Sequence, residues 1–163
     1  MPRNQVVNIP GISSLLPQNV LYVNQQANGY AVWYTPPQEV NLFFVDGLHI
    51  PSGKFHVPAM LWKANAERLA VYALKGKAKP TENTKLCHAP YLNIYAGGQV
   101  CMGTVQINIA KSTCLEEFMQ TWERYFLTAI SAIPLTAITA PNPIPPICGV
   151  PLQERVSSSR RTN

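Results

Sequence analysis

Residues 93–102 read Asn-Ile-Tyr-Ala-Gly-Gly-Gln-Val-Cys-Met, and they separate a region of β-strand pattern from a region of helical pattern. Asn93 stands eight positions before Cys101, with the pair Gly97-Gly98 between them. Two central glycines allow a tight bend, so the asparagine can fold back beside the cysteine. A nucleophilic cysteine needs solvent access and a hydrogen-bond donor for the oxyanion of acyl transfer, and an asparagine amide can be that donor. The spacing thus makes Cys101 and Asn93 a possible catalytic pair, but from these residues alone a buried structural cysteine is the favoured interpretation, because free cysteines are among the most buried residue types.

The part of the chain before this stretch reads as β structure. Residues 19–24 and 30–35 are rich in β-branched and aromatic side chains, and Asn28-Gly29 between them favours a hairpin turn. Pro36-Pro37 ends the second of these strands. Further strands are expected at residues 41–45, 57–63 and 68–74. We therefore predict an antiparallel meander of four or five strands.

The part after the stretch contains one convincing helix pattern. Thr113 and Glu116 fit a capping box, in which each side chain bonds a free amide of the first turn. Apolar side chains then recur at spacings of three and four residues and form one face. They are Leu115, Phe118, Met119, Trp122, Phe126 and Ile130. We expect this helix to pack across the meander, whereas residues 75–111 are expected to be mostly loop.

The expected organisation is one domain with short flanking segments, because 163 residues fit the usual size of a single domain. The main domain should span residues 19–133, after an N-terminal extension at residues 1–18. Repeated prolines in residues 134–156 exclude a long helix and favour an extended strap. Residues 157–163 are polar and basic with little to bury, which predicts disorder.

Composition favours a globular chain in a reducing compartment. The chain is 47% hydrophobic and 13% charged, and no apolar run reaches the ~20 residues that cross a bilayer, so no membrane partner is expected. Residues 1–5 lack the basic-then-apolar layout of a signal peptide. A cytoplasmic location is therefore expected, with the cysteines as free thiols, and a secreted chain with two disulfides is the alternative. The cysteines are Cys87, Cys101, Cys114 and Cys148.

The net charge of +5 is concentrated in two segments of the chain. Much of it comes from lysines in residues 75–85 and arginines near the C-terminus, which could meet an acidic partner or simply be solvated. No stacking aromatic interleaves the lysines, so a nucleic-acid partner is not expected. Cys87, His88 and Cys101 could in principle bind a metal, but their spacing is poor. His88 could also be imagined as a catalytic partner, although a structural role fits a loop histidine better.

Four short phrases of the sequence resemble those of a known family. They are Leu-Ala-Val-Tyr-Ala-Leu at residues 69–74, Ala-Pro-Tyr-Leu-Asn-Ile at 89–94, Val-Cys-Met-Gly at 100–103 and Trp-Glu-Arg-Tyr-Phe at 122–126. Residues 55–135 are similar to the bacterial ubiquitin-conjugating-enzyme-like proteins of prokaryotic family D, which include protein B of the PRTRC systems and conjugating enzymes of bacterial ubiquitin-like operons. The resemblance implies an α+β fold of the ubiquitin-conjugating (UBC) type, with an antiparallel β-meander, a long loop that carries the cysteine, and one main amphipathic helix packed on the sheet.

The resemblance also implies roles for individual residues. Cys101 takes the position of the cysteine that carries the modifier as a thioester, and Asn93 takes that of the asparagine in the family's His-Pro-Asn signature. Tyr91 and Leu92 occupy the other two signature positions, where this chain departs from the pattern. The implied partners are a ubiquitin-like modifier protein, a ThiF-type activating enzyme and a lysine of a target protein.

The implied reaction is acyl transfer in two steps, without a metal or an organic cofactor. The activating enzyme hands the C-terminal glycine of the modifier to Cys101, and the target lysine then attacks the thioester. No residue near the motif is an evident general base. The genomic settings of the family suggest antiphage defence or plasmid maintenance. The alternative is a non-catalytic UBC-like module that binds the modifier or its activating enzyme.

Overall fold

The computed structural model describes residues 16–24, 26, 28–44, 46, 51–110, 113–131 and 150–151. This part of the chain forms eight β-strands and one α-helix. The strands are β1 Val20–Val23, β2 Ala31–Thr35, β3 Gln38–Leu42, β4 Gly53–Val57, β5 Met60–Ala64, β6 Leu69–Leu74, β7 Lys85–His88 and β8 Val150–Pro151. The helix is α1, Leu115–Ser131.

Six of the strands form one antiparallel sheet in the order β1-β2-β5-β6-β7-β8. Asn28 has a φ of 62° in the β1–β2 connection, a conformation that asparagine tolerates better than most residues. The buried centre of the sheet is β2, β5 and β6, in which nearly every residue is buried. The predicted α+β fold, an antiparallel sheet with one main helix packed on it, is thus confirmed.

The predicted meander is interrupted by a separate hairpin. The expected strand at residues 57–63 is divided at Pro58, which has no amide to donate, and its two parts belong to different sheets. Strand β4 pairs with β3 as a two-stranded sheet, and β5 continues the main sheet. The expected strand at residues 41–45 is also displaced, because β3 begins at Gln38 and ends at Leu42.

The main core lies between α1 and one face of the sheet. Trp33, Trp62 and Trp122 are fully buried there, and each indole N–H has an acceptor. The Trp33 indole donates to the Glu123 carboxylate at 2.9 Å, which joins β2 to the helix. The Trp62 ring meets Phe126 of the helix edge-to-face at 5.2 Å. Buried aromatic rings with satisfied polar atoms therefore fix the helix to the sheet.

The helix has the predicted apolar face but a different cap. Its buried residues are Leu115, Met119, Trp122, Phe126, Ala129 and Ile130, and Phe118 packs against them half-buried. The Phe118 amide donates to the Cys114 carbonyl at 2.9 Å, so Cys114 stands at the N-cap and not Thr113. Glu116 and Glu117 lie in the first turn, where the helix dipole favours negative charge.

The flanking segments of the predicted organisation fall mostly outside the described residues. The extension at 1–18 is described only from residue 16, the strap at 134–156 only at Val150–Pro151, and the tail at 157–163 not at all. Strand β8 pairs with β7 through Leu86↔Val150 and Lys85↔Pro151. In the described ranges, no helix has both the length and the apolar character that a membrane span requires.

Candidate functional site

Residues 93–101 form a short antiparallel hairpin, which we call the cysteine hairpin. The Tyr95 amide donates to the Gln99 carbonyl at 2.9 Å, and the Cys101 amide donates to the Asn93 carbonyl at 2.7 Å. A further antiparallel bridge lies between these two pairs. The hairpin therefore places Asn93 opposite Cys101, as the two central glycines of the sequence allow.

The turn of the cysteine hairpin depends on Gly98. Its amide donates to the Tyr95 carbonyl at 2.8 Å, and its φ of 90° is one that side chains other than glycine rarely adopt. A Cβ atom at Gly98 would also collide with the ring of Tyr72 on β6. The Tyr72 hydroxyl donates to the Gly97 carbonyl at 2.9 Å, so the same ring that excludes a side chain holds the turn.

The cysteine hairpin continues the main sheet along the edge of β6. The Val71 amide donates to the Gly98 carbonyl and the Val100 amide donates to the Leu69 carbonyl, both at 2.9 Å. Strand β7 pairs with the rest of β6, from Tyr72 to Leu74. The hairpin is thus held by a strand of the buried centre of the sheet, and Cys101 directly follows Val100, whose amide bonds that strand.

Cys101 and Asn93 differ in their environments. The Cys101 side chain is exposed to solvent, so the thiol is accessible. The Asn93 side chain is only 5% exposed, and neither its amide nitrogen nor its oxygen has a hydrogen-bond partner among the described residues. Buried polar groups without partners are rare in folded proteins and call for an explanation. The site therefore combines an accessible sulfur with an uncommitted amide on the opposite strand of the same hairpin.

Tyr95 is a third member of the site that the sequence interpretation did not assign. Its side chain is 61% exposed, and the pairing of Tyr95 with Gln99 and of Asn93 with Cys101 puts it diagonally across the hairpin from the cysteine. Hydrogen bonding to Cys101, then the charge of the sulfur and desolvation, raise the pKa of the Tyr95 phenol above its usual value. The signal in the sequence was its position two residues after Asn93, which puts it on the same face of an extended strand.

The other candidate residues have different surroundings. His88 is the last residue of β7 and not a loop residue, and its Nε2 lies 3.2 Å from the Tyr95 carbonyl. Cys87 and Cys114 are half-buried cysteines outside any disulfide, and Cys148 lies outside the described residues. Across the described ranges, no three His, Cys, Asp or Glu side chains are grouped as a metal site would require. In the basic loop, Lys79 donates to the Gln18 carbonyl at 3.0 Å.

An antiparallel sheet, one helix across its face and a hairpin that presents a cysteine define a UBC-like domain. The family described as prokaryotic E2 family D matches residues 5–132, which is more than three quarters of the chain. The chain therefore belongs to prokaryotic E2 family D, and the expected family is confirmed. No curated protein and no solved structure matches the chain. Membership of the family indicates a role like that of ubiquitin-conjugating enzymes.

Proposed function

We propose that the protein is a ubiquitin-like-protein conjugating enzyme, which accepts the modifier C-terminus as a thioester on Cys101 and transfers it to a target amine. The observation that carries the proposal is the pairing of an exposed Cys101 with a buried, uncommitted Asn93 amide across one hairpin. Family membership supports the same chemistry. The partners that we propose are the modifier, a ThiF-type activating enzyme and a target lysine, in a bacterial cytoplasm.

Loading of Cys101 is an exchange of thioesters. The Cys101 thiolate attacks the carbonyl carbon of the thioester on the activating enzyme, and a tetrahedral oxyanion forms. The new C–S bond to Cys101 remains, the C–S bond to the activating enzyme breaks, and its sulfur leaves as a thiolate. Because the Asn93 amide has no other described partner, it would break no hydrogen bond when its buried nitrogen moves out to donate to the oxyanion.

Transfer of the modifier to the target lysine takes place at the same Cys101 sulfur. The lysine amine attacks the thioester carbon, the C–N bond forms, and the C–S bond breaks with its electron pair on the Cys101 sulfur. One proton of the attacking amine is released to the solvent. The product is an isopeptide bond and a free Cys101 thiolate.

The test is a two-stage reaction with the modifier, its activating enzyme and ATP, followed by excess free lysine. The wild-type protein should form an adduct that dithiothreitol removes, and the adduct should disappear when lysine is added. Cys101→Ser should lose the reducible adduct, whereas Cys87→Ser should keep it as a control. Asn93→Ala should both load and discharge about 100-fold more slowly, as expected when one oxyanion donor is removed from both steps.

The alternative function is a non-catalytic module that binds the modifier or its activating enzyme. The departure from the family signature at Tyr91 and Leu92 favours it. Binding of the modifier by the wild-type protein without any reducible adduct would support this alternative and contradict the proposal.

A further inference from the structure

We infer that two side chains of the main sheet, those of Tyr72 and His88, act together as positioning residues for the cysteine hairpin. They fix the register of the hairpin, and that register keeps Asn93 opposite Cys101. The inference about the register concerns the folded protein alone, so it can be tested without any partner protein. Its consequence for catalysis rests on the function proposed above.

Tyr72 of β6 and His88 of β7 stand side by side on one face of the sheet. They are direct partners in the register of the two strands, and directly opposite residues of an antiparallel pair project from the same face. Val71 and Ala73 belong to the core under α1, so Tyr72 between them points to the other face. Tyr72 is 8% exposed and His88 is half-buried. The sheet therefore holds the two side chains in a constant relation.

The two side chains reach two carbonyls of the same turn. The Tyr72 hydroxyl donates to the Gly97 carbonyl at 2.9 Å, and His88 Nε2 lies 3.2 Å from the Tyr95 carbonyl. Because a carbonyl only accepts, His88 Nε2 carries the proton in this contact. Only Ala96 separates the two acceptor residues in the sequence. The turn is thus held at two points, and we call Tyr72 and His88 the clasp.

The clasp holds the part of the hairpin that the backbone of the sheet does not reach. Residues 98–100 are bonded to β6 through the Gly98 carbonyl and the Val100 amide. Residues 93–95, on the other strand, bond across the hairpin, and the clasp adds the contact to the Tyr95 carbonyl. The β6 strand therefore holds the side that leads to Cys101, and the clasp ties the turn and the side that carries Asn93 to the same sheet.

A clasp has a physical purpose here, because glycine leaves the turn free to change. Short hairpins rich in glycine specify their register weakly, and a slip of one residue turns the side chains of a strand to the opposite face. Such a slip in the cysteine hairpin would separate Asn93 from Cys101. Both contacts of the clasp depend on the observed positions of the Tyr95 and Gly97 carbonyls. They therefore favour the one register in which the amide faces the sulfur.

The test is hydrogen exchange of the Tyr95 and Cys101 amides, which bond across the hairpin. Tyr72→Phe keeps the ring beside the turn and removes only the hydroxyl, and His88→Leu removes the second donor. In each variant the two amides should exchange about fivefold faster, as expected when one hydrogen bond is lost. His88→Gln should restore most of the protection, because its side-chain amide can donate to the same carbonyl.

Two controls separate a local effect from a general loss of stability. The Leu74 amide lies on the same strand as Tyr72 and donates to the Ala59 carbonyl at 2.8 Å, so its exchange should not change in any variant. Tyr34→Phe alters a half-buried tyrosine on the same face of the sheet and should leave every amide unchanged. Unchanged exchange at Cys101, or equal acceleration at Leu74, would overturn the inference.

The consequence for catalysis is read from discharge of the modifier to free lysine. Loaded Tyr72→Phe should discharge about fivefold more slowly, less than the ~100-fold that a misplacement of 1 Å can cost. His88→Gln should discharge nearly as fast as the wild type, and unchanged discharge in Tyr72→Phe would overturn this consequence.

The two measurements also separate the inference from the proposed function. Faster exchange in a protein that never forms the modifier thioester would contradict the proposed function and leave the clasp standing. Unchanged exchange in a protein that does form the thioester would overturn the clasp and leave the proposed function standing.

Discussion

The Tyr91 hydroxyl is buried without a hydrogen-bond partner among the described residues. Its ring meets Phe126 of α1 edge-to-face at 5.1 Å, so the residue serves as a core aromatic. Burial raises the pKa of Tyr91 to about 12, because the phenolate would lose its hydration. Tyr91 thus contributes packing and an unsatisfied polar atom.

Tyr91→Phe should therefore stabilise the protein. Removal of an unpaired buried hydroxyl should raise the free energy of unfolding by about 1 kcal/mol. The measurement is urea denaturation at pH 7, in which the dependence of this free energy on urea concentration should not change. Tyr125→Phe is the control, since its hydroxyl donates to the Asn108 carbonyl at 3.3 Å and its loss should not stabilise. A lower stability of Tyr91→Phe would contradict this account of the hydroxyl.

The pKa of Tyr91 also predicts a pH effect of definite sign. Between about pH 10 and about 12 the folded state holds a proton that the unfolded state has lost, so the stability should fall as the pH rises through that window. Tyr91→Phe should reduce this loss of stability between about pH 10 and about 12.

At the scale of elements, the cysteine hairpin is held by its turn as much as by its pairing with β6. Gly98 has a positive φ and lies against the Tyr72 ring, whereas a Cβ atom at Gly97 would meet nothing within 4 Å. The two neighbouring glycines therefore form a matched pair for mutation, because only one of them is required by the conformation.

Gly98→Ala should lower the free energy of unfolding by about 2 kcal/mol through backbone strain and the collision with Tyr72. It should also reduce hydrogen-exchange protection of the Val100 amide, which bonds the Leu69 carbonyl. Gly97→Ala should leave both quantities nearly unchanged. Similar stabilities and protection for the two variants would show that the turn does not hold the hairpin.

The contact between α1 and β2 predicts that the stability of the folded protein depends on pH. Burial raises the pKa of Glu123, and its hydrogen bond from Trp33 opposes that rise in part. The folded state therefore binds the proton more tightly than the unfolded state, so the stability should fall as the pH rises from the usual glutamate range through the raised value.

Glu123→Gln should remove that fall, because a glutamine oxygen still accepts from the Trp33 indole and carries no charge. The measurement is the melting temperature as a function of pH. Glu117→Gln is the control: it is exposed in the first turn, where loss of negative charge should destabilise slightly near neutral pH. A steeper fall for Glu123→Gln than for the wild type would contradict the assignment of this carboxylate.

For the whole molecule, local patterns were sufficient to predict the hairpin around Asn28-Gly29 and the apolar face of α1. Pairing between distant segments was harder to predict. The division at Pro58 and the separate β3–β4 sheet depend on which strands meet, and a single sequence pattern does not encode this. Only the observed register makes Tyr95 a diagonal neighbour of Cys101. The bend between Asn93 and Cys101 could be predicted because glycine spacing is local.

The central claim is that one sulfur, that of Cys101, carries the modifier. Intact-protein mass spectrometry after incubation with the modifier, its activating enzyme and ATP tests it most directly. We predict a single adduct of the modifier mass minus one water, removed by dithiothreitol and mapped to the peptide that contains Cys101. An adduct on Cys87 or Cys114, or no adduct on a protein whose Cys101 still reacts with iodoacetamide, would contradict the claim.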